Sequence, residues 1–430
     1  MRERWRFLRS VQTVVALLVF SVLAGCGESP AVSENNPPST AGTVASSVAE
    51  DREDTVRTSA PAPPKDSPEI VFRDPPLDTV PATPPAAAKK NLKPLPDEVV
   101  AAWEAAGAKA GWMGLDQSDR LMFRAEPKGL TGALPAFRFD AWKPGVLPKL
   151  PLPWSPFGLH FRYTRISAID IKDAGLAELV GLKSLRALHF GSNHVTDTGL
   201  AELAALKGLQ WLSLRTRKTT DKGLTELAAL DGLQSLNLDE MNFTNAGLKT
   251  LAGLTNMRSL SLWNTNVTDT GLRVTAGMKK LESLNLMETK VTDEGLRELA
   301  KLKNLRSLNL TATKVTDKGL KDLTGLGRLE SLDLTATNVT DAGLSELAKL
   351  SNLRSLILWQ TAVTDDGLTQ LTGLDRLESL KLSATDVTDM GLKILTGMKN
   401  LRSLDLRGTK VTDVGVEQLQ KALPDCSIIH

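Results

Sequence analysis

Cysteine, aromatic residues and net charge are all scarce in this 430-residue chain. The two cysteines, Cys26 and Cys426, stand 400 residues apart, which excludes a disulfide framework and any zinc ribbon or finger. Four histidines leave few routes to metal chemistry. Aromatics make up 4% while leucine dominates the second half, a bias that argues against two or three ordinary domains. Fifty-two basic against fifty acidic side chains leave +2. Residues 1–25 carry Arg2, Arg4, Arg6 and Arg9 against Glu3, so the remainder is 2 − 3 = −1. A near-neutral chain lacks the basic footprint of a nucleic-acid binder.

The amino terminus reads as an address. MRERWRFLR is a basic leader, and Val11 to Leu23 is an apolar stretch of 13 residues interrupted by Gln12, Thr13 and Ser21. That is too short for a spanning helix, which needs ~20 apolar residues, and it fits a secretory signal. It ends Leu23-Ala24-Gly25-Cys26, which resembles the lipobox of bacterial lipoproteins. The resemblance implies acylation of Cys26, cleavage before it, and an envelope location. Gly27 stands where Asp would resemble an inner-membrane retention signal, so in a two-membrane cell the resemblance implies the outer membrane.

Residues 26–96 hold fourteen of the 22 prolines among Ala, Ser, Thr and Asp, with few large apolar side chains. Such a segment cannot bury enough surface to offset its chain entropy, so a disordered tether is expected.

From Gly175 to Gly415 a glycine recurs every 24 residues, eleven times and without insertion. The unit is clearest in LESLNLMETKVTDEGLRELAKL, residues 281–302. In one copy Leu296, Leu299, Leu302, Leu305, Leu308, Leu310 and Val315 are the inward apolar set. Leu308 and Leu310 are two apart, the strand period, so this segment is predicted to pair in parallel with its copies. Leu296, Leu299 and Leu302 are three apart, which suits a short helix on the opposite side. The recurring Thr-Asp before that helix is expected to cap its exposed amides, and the glycine to let neighbouring coils approach.

This pattern resembles the leucine-rich repeat family, and its VTDxGLxxL phase the ribonuclease-inhibitor-like and F-box-associated branch. The resemblance implies an α/β solenoid, a horseshoe of eleven 24-residue units with parallel concave strands and short convex helices. The family's Asn/Cys position is here Thr265, Thr289, Thr313, Thr337, Thr361, Thr385 and Thr409, whose hydroxyls are expected to bond the turning backbone.

Four segments follow: a signal peptide at 1–25, the tether with acylated Cys26 at 26–96, an aromatic-rich N-terminal cap with a first irregular coil at 97–166, and the solenoid with its C-terminal cap at 167–430. Within the cap, Asp97 to Ala110 reads as an amphipathic helix with Asp97 as N-cap. Leu159, Phe161 and Ile166 read as the imperfect first coil, and Ser427-Ile428 as the start of a closing strand.

Side chains that alternate with the core leucines line the concave face in rows. One row alternates charge: Arg258, Glu282, Arg306, Glu330, Arg354, Glu378, Arg402. Another runs in serine from Ser235 to Ser403 and is interrupted by Trp211. A third carries Arg215, Asp239, Trp263, Met287, Thr311, Thr335, Trp359, Ser383 and Arg407. Exposed tryptophan and arginine are typical binding anchors. The candidate ligand-binding residues are therefore Trp263, Trp359, Met287, Trp211, Arg215 and Asp239. No nucleophile–base pair, phosphate loop, cofactor motif or metal set is visible. The sequence thus predicts a monomeric, non-enzymatic scaffold that takes a protein or extended peptide on its concave face and meets the membrane only through its lipid. A structural envelope spacer is the alternative, with an F-box-type adaptor behind it.

Overall fold

The structure is a computed structural model describing residues 94–162 and 171–430. Cys26, the signal peptide, the tether up to residue 93, and Tyr163 to Asp170 with Ile166 lie outside the described residues.

The described chain forms an open fifteen-stranded sheet alternating with short helices. A helix, Asp97–Ala105, precedes β1 (Ala108–Leu115), β2 (Leu121–Arg124), β3 (Thr131–Phe139) and β4 (Phe157–Phe161). The repeats supply β5 (Leu185–Ser192), β6 (Trp211–Thr216), β7 (Ser235–Asn237), β8 (Ser259–Ser261), β9 (Ser283–Asn285), β10 (Ser307–Asn309) and β11 (Ser331–Asp333). They continue through β12 (Ser355–Ile357), β13 (Ser379–Lys381) and β14 (Ser403–Asp405) to the closing β15 (Ser427–Ile429). From β3 to β15 neighbours are parallel and consecutive; β1 joins β3 and β2 antiparallel. In the repeats residue i faces residue i+24, as Ser307 faces Ser283 and Ser331.

The seven predicted core positions are buried, none more than 1% exposed from Leu296 to Val315. The threonine expectation also holds. Thr289 Oγ1 donates to Leu286 O at 2.6 Å and Thr313 Oγ1 to Leu310 O at 2.7 Å, closing the turn that leaves each strand. From β7 to β14 that turn contains one residue per unit with left-handed backbone, among them Glu288, Ala312, Ala336 and Gln360 at φ between 52° and 55°. It ends each strand from β7 to β14 after three residues, whereas β5 and β6, which lack it, run on for eight and six.

The aspartates do more than the predicted capping. The Thr hydroxyl is the cap: Thr292 Oγ1 accepts from Glu294 N at 3.3 Å at the start of the helix Asp293–Leu299. Each Asp instead bridges two coils. Asp293 Oδ1 accepts from Thr316 N at 2.8 Å and Oδ2 from Thr316 Oγ1 at 2.7 Å.

The N-terminal cap departs from expectation. The first helix ends at Ala105, a turn follows at residues 106–107, and β1 takes up the last three residues of the predicted stretch. Pro96, without any side-chain bond, is the N-cap, and Asp97 is the first helical residue, where its charge meets the helix dipole. Trp103 is fully buried, stacks on Phe137 with centroids 4.3 Å apart and donates Nε1 to Pro151 O at 2.9 Å. Phe139 stacks on Phe161 at 5.9 Å, so the aromatic core of the cap runs into the first coil. At the other end Cys426 is buried and desolvation pushes its thiol up to about 11, which keeps it protonated and inert.

Candidate binding face

The rows read from the sequence lie in register on the sheet, but they differ in what they leave open. The charge-alternating row resolves into separate pairs. Arg258 is paired with Glu282, Arg306 with Glu330 and Arg354 with Glu378, while Arg402 turns to Asp425 at 3.9 Å. The same unit pairs are joined nearby by Lys280 to Asn256 at 2.7 Å, Arg328 to Asn304 at 2.9 Å and Arg376 to Asn352 at 2.6 Å. A 48-residue superperiod therefore has a physical basis: two-unit blocks whose charges satisfy each other. Exposed pairs of this kind are worth only a few tenths of a kcal/mol each.

The third row sits at the carboxyl ends of the strands, just before the left-handed residue of each turn. Trp359 is 42% exposed there. Trp263 and Met287 are half-buried, and Thr311, Thr335 and Ser383 are buried between and beyond them. The two tryptophans are four units apart, roughly 19 Å along the spine at ~4.8 Å per strand. The indole Nε1 of Trp263 is buried and has no hydrogen-bond partner among the described residues. Ile357 lies buried on the neighbouring row beside Lys381. Arg407, at the far end, forks onto Asp405 at 2.9 and 2.5 Å.

Three other predicted residues are placed differently. Trp211 is only 9% exposed and packs with Met113, Leu121, Ala136 and Ala187 in a second small apolar cluster. Asp239 accepts from Ser261 Oγ at 2.5 Å, Asn237 Nδ2 at 2.7 Å and Trp263 N at 3.0 Å. Burial holds its carboxyl above the usual carboxylate range, against those three bonds. Arg215 is ion-paired with Glu240, and Arg217 lies 3.8 Å from the same carboxylate. The irregular turns near residues 213–245 are thus knitted into one another, with Asp239 also fixing the backbone that carries Trp263.

His160 and His189 stack with ring centroids 4.4 Å apart and planes nearly parallel. Burial, and then His189 itself, pushes His160 down to about 2; burial, and then Arg215, pushes His189 down to about 4. Both rings are neutral at physiological pH. Among the described residues no group of three or more His, Cys, Asp or Glu side chains is placed to hold a metal ion.

The cap contributes something the sequence did not reveal. The β1–β2 hairpin folds over the concave face of the first repeats. Met113 and Leu121 cover Ala187 and Trp211. Phe123 lies 5.8 Å from His160, with the Arg138 guanidinium 5.1 Å above the Phe123 ring. Burial raises the carboxyl of Asp119, at the hairpin tip, above its ordinary range, against a lowering by Ser283. One signal was available: Ala187 and Trp211 interrupt a row that is otherwise serine from Ser235 onward.

Five segments, residues 181–204, 277–300, 301–323, 329–348 and 397–419, match the Leucine Rich repeat family model. The five matched segments are similar to leucine-rich repeats. Among solved structures, this chain is similar to an internalin (inlF) from Listeria monocytogenes, 24% identical, covering 64% of this chain and 79% of that one, at a TM-score of 0.48. It is similar to an internalin C2 (inlC2) from the same species, 26% identical, over 50% and 84% of the two chains, at a TM-score of 0.38. A TDR receptor is 15% identical over 59% of this chain and 44% of that chain, at a TM-score of 0.41. No curated protein sequence matches.

Proposed function

We propose that this leucine-rich-repeat protein is a non-enzymatic scaffold that binds a protein or an extended peptide along the carboxyl ends of its concave strands. The row from Trp263 to Trp359 carries the reading: an exposed indole at one end, a buried indole N–H with no hydrogen-bond partner at the other, and small threonines between. An extended chain would rest its side chains on Trp359, Met287 and the half-buried ring of Trp263. The chain acts as a monomer and is held at the bacterial envelope by a lipid on Cys26, at the outer membrane in a two-membrane cell. Pull-down from envelope extract tests the face. Trp263→Ala and Trp359→Ala, at unchanged melting temperature, should each cut capture by more than tenfold if the ring is a desolvated anchor worth about 2 kcal/mol. Undiminished capture by both would place the ligand elsewhere. Cys26→Ala should release the protein from the membrane fraction or leave a precursor; a variant that fractionates and migrates as wild type would refute the anchor.

A second reading, a structural spacer with no specific partner, is favoured by the Arg–Glu pairs that satisfy their own charges on the same face. Capture of no protein by the wild-type chain would support it.

A further inference from the structure

The backbone N–H groups of the row from Asp239 to Arg407 are capped by side chains in all units but two. In five units an Asn or Asp between the core leucines, such as Asn309 or Asp405, accepts the N–H two residues on, at distances between 2.8 and 3.2 Å. In the unit of Ser261, Asp239 of the preceding unit accepts from Trp263 N at 3.0 Å instead. The two remaining positions lie in adjacent units. Among the described residues the N–H groups of Trp359 and Ser383 make no hydrogen bond.

The cause is in the sequence. These two units carry Ile357 and Lys381 where the five carry Asn or Asp, and neither side chain has an oxygen to accept with. Lys381 also replaces an acceptor by a cation. Every arginine of the concave rows from Arg215 to Arg407 is ion-paired with a carboxylate. The half-buried Lys381 is not: among the described residues its ammonium has no ion-pair or hydrogen-bond partner. Asp405, its neighbour across one strand step, is already forked by Arg407, and on the other side lies the apolar Ile357.

Three donors thus stand together without an acceptor. The equivalent N–H groups of the other units point at side chains of the concave row, so those of Trp359 and Ser383 open onto the concave surface. They are one strand step apart, ~4.8 Å, a separation that the two oxygens of one carboxylate can span. The 42% exposed Trp359 ring and Ile357 supply apolar contact beside them. A ligand that covers these donors without offering an acceptor incurs their desolvation cost, and the adjacent cation selects an acceptor that is charged.

We propose that the Trp359 N–H, the Ser383 N–H and the Lys381 ammonium form a carboxylate subsite of the concave face. The polypeptide bound there presents an acidic side chain or its C-terminal carboxylate next to a large apolar side chain that rests on Trp359 and Ile357. The proposal rests on the concave-face reading for the ligand's being a polypeptide, and adds where its charge sits and of which sign. An arginine or lysine of the ligand would meet only donors at this place.

Saturation-transfer NMR on the full chain tests the subsite with three N-acetylated tetrapeptides that share a leucine at the second position. One has glutamate third and an amidated end, one has glutamine third and an amidated end, and one has glutamine third and a free C-terminal carboxylate. One of the two carboxylate peptides should bind roughly tenfold more tightly than the neutral one, and which one does so identifies the source of the carboxylate. Lys381→Asn copies the unit of Asn309, removing the cation and capping Ser383 N–H, and should bring the preferred peptide down to the neutral level at an unchanged melting temperature. Ile357→Asn caps Trp359 N–H in the same way and should reduce the preference with Lys381 in place. Equal signals from the three peptides on the wild-type chain, nil included, or a carboxylate preference that persists in both variants, would overturn the subsite. Uniform weakening of all three peptides by Trp359→Ala, without any carboxylate preference in wild type, would refute the subsite and leave the concave-face reading standing. That reading falls separately, on undiminished capture by the tryptophan variants in the pull-down.

Discussion

The carboxylate of Asp293 grips Thr316 of the next coil at both the backbone N–H and the hydroxyl, at 2.8 and 2.7 Å. The same clamp joins Asp317 to Thr340, Asp341 to Thr364 and Asp365 to Thr388. It is the side-chain counterpart of the strand ladder, on the helical side of the stack. One unit is different: Asn245 meets Thr268 through its amide at 2.8 Å, and Thr268 makes no cap bond to the helix that follows.

The clamp and the repeating glycine should fail together. A Cβ on Gly319 would lie 2.5 Å from Asp293 Oδ1 and 2.9 Å from Leu296 Cδ1, so Gly319→Ala must push two coils apart. We expect Asp293→Asn to cost about 1 kcal/mol and Gly319→Ala more, about 1–3 kcal/mol. Asn245 also accepts from Thr268 N at 3.1 Å, so only the cap is missing, and Asn245→Asp should raise the melting temperature by freeing the Thr268 hydroxyl oxygen to accept from the helix. Urea unfolding of the three variants checks the order; a Gly319→Ala curve superimposed on wild type would refute the close-approach account.

Asp333 occupies a position where neighbouring units carry Asn285 and Asn309, and all three accept the backbone N–H two residues on, Asp333 from Thr335 at 2.9 Å. Burial raises the Asp333 carboxyl above its ordinary value of 3.8, against the Thr335 bonds. Its contribution to stability is therefore complete below that ordinary value and is lost as pH rises through the raised one. Asp333→Asn keeps the acceptor and removes the charge. It should melt higher than wild type at neutral pH, with the gap closing on acidification. A lower melting temperature at neutral pH would contradict this sign.

Two tryptophans on the concave side should respond oppositely to truncation. Trp211→Ala empties the apolar cluster under the hairpin and should cost about 3–5 kcal/mol. Trp359 is 42% exposed, so Trp359→Ala should cost less than about 1 kcal/mol of stability while losing ligand capture. Comparable thermal shifts in the two variants would show that Trp211 is not buried by the cap in solution.

Deletion of residues 290–313 joins Thr289 to Lys314 in register and should leave a folded, shorter stack. It removes Arg306 and sets Glu282 beside Glu330, like charges across one strand step, at a cost of roughly 0.2–1 kcal/mol. Deleting 290–337 removes a whole charge block, restores a Glu282–Arg354 neighbour pair and should be the milder change per unit lost. A half-unit deletion drives polar residues into the leucine rows and should abolish cooperative melting. Equal melting of half-unit and whole-unit deletions would rule out independent stacked coils.

The repeat register, the parallel strands, the buried leucine and valine rows and the threonine turns were all legible in the sequence. Each is set by neighbours within one 24-residue period, and copies of a period stack only in register. Leu308 and Leu310 announce a strand because every copy says the same thing. The clamp was half legible, since Thr-Asp marks a helix start anywhere, but only stacking brings Asp293 to Thr316. The split of the charged row into Arg258–Glu282 and its equivalents likewise required the side-chain geometry. The hairpin over Trp211 was not legible at all. Met113, Leu121 and Phe123 read as ordinary strand residues, and nothing local says that they bury against strands about ninety residues away. Tertiary structure decided that, because an aromatic-rich cap with apolar residues on both faces of its hairpin has only the concave sheet left to cover its second face.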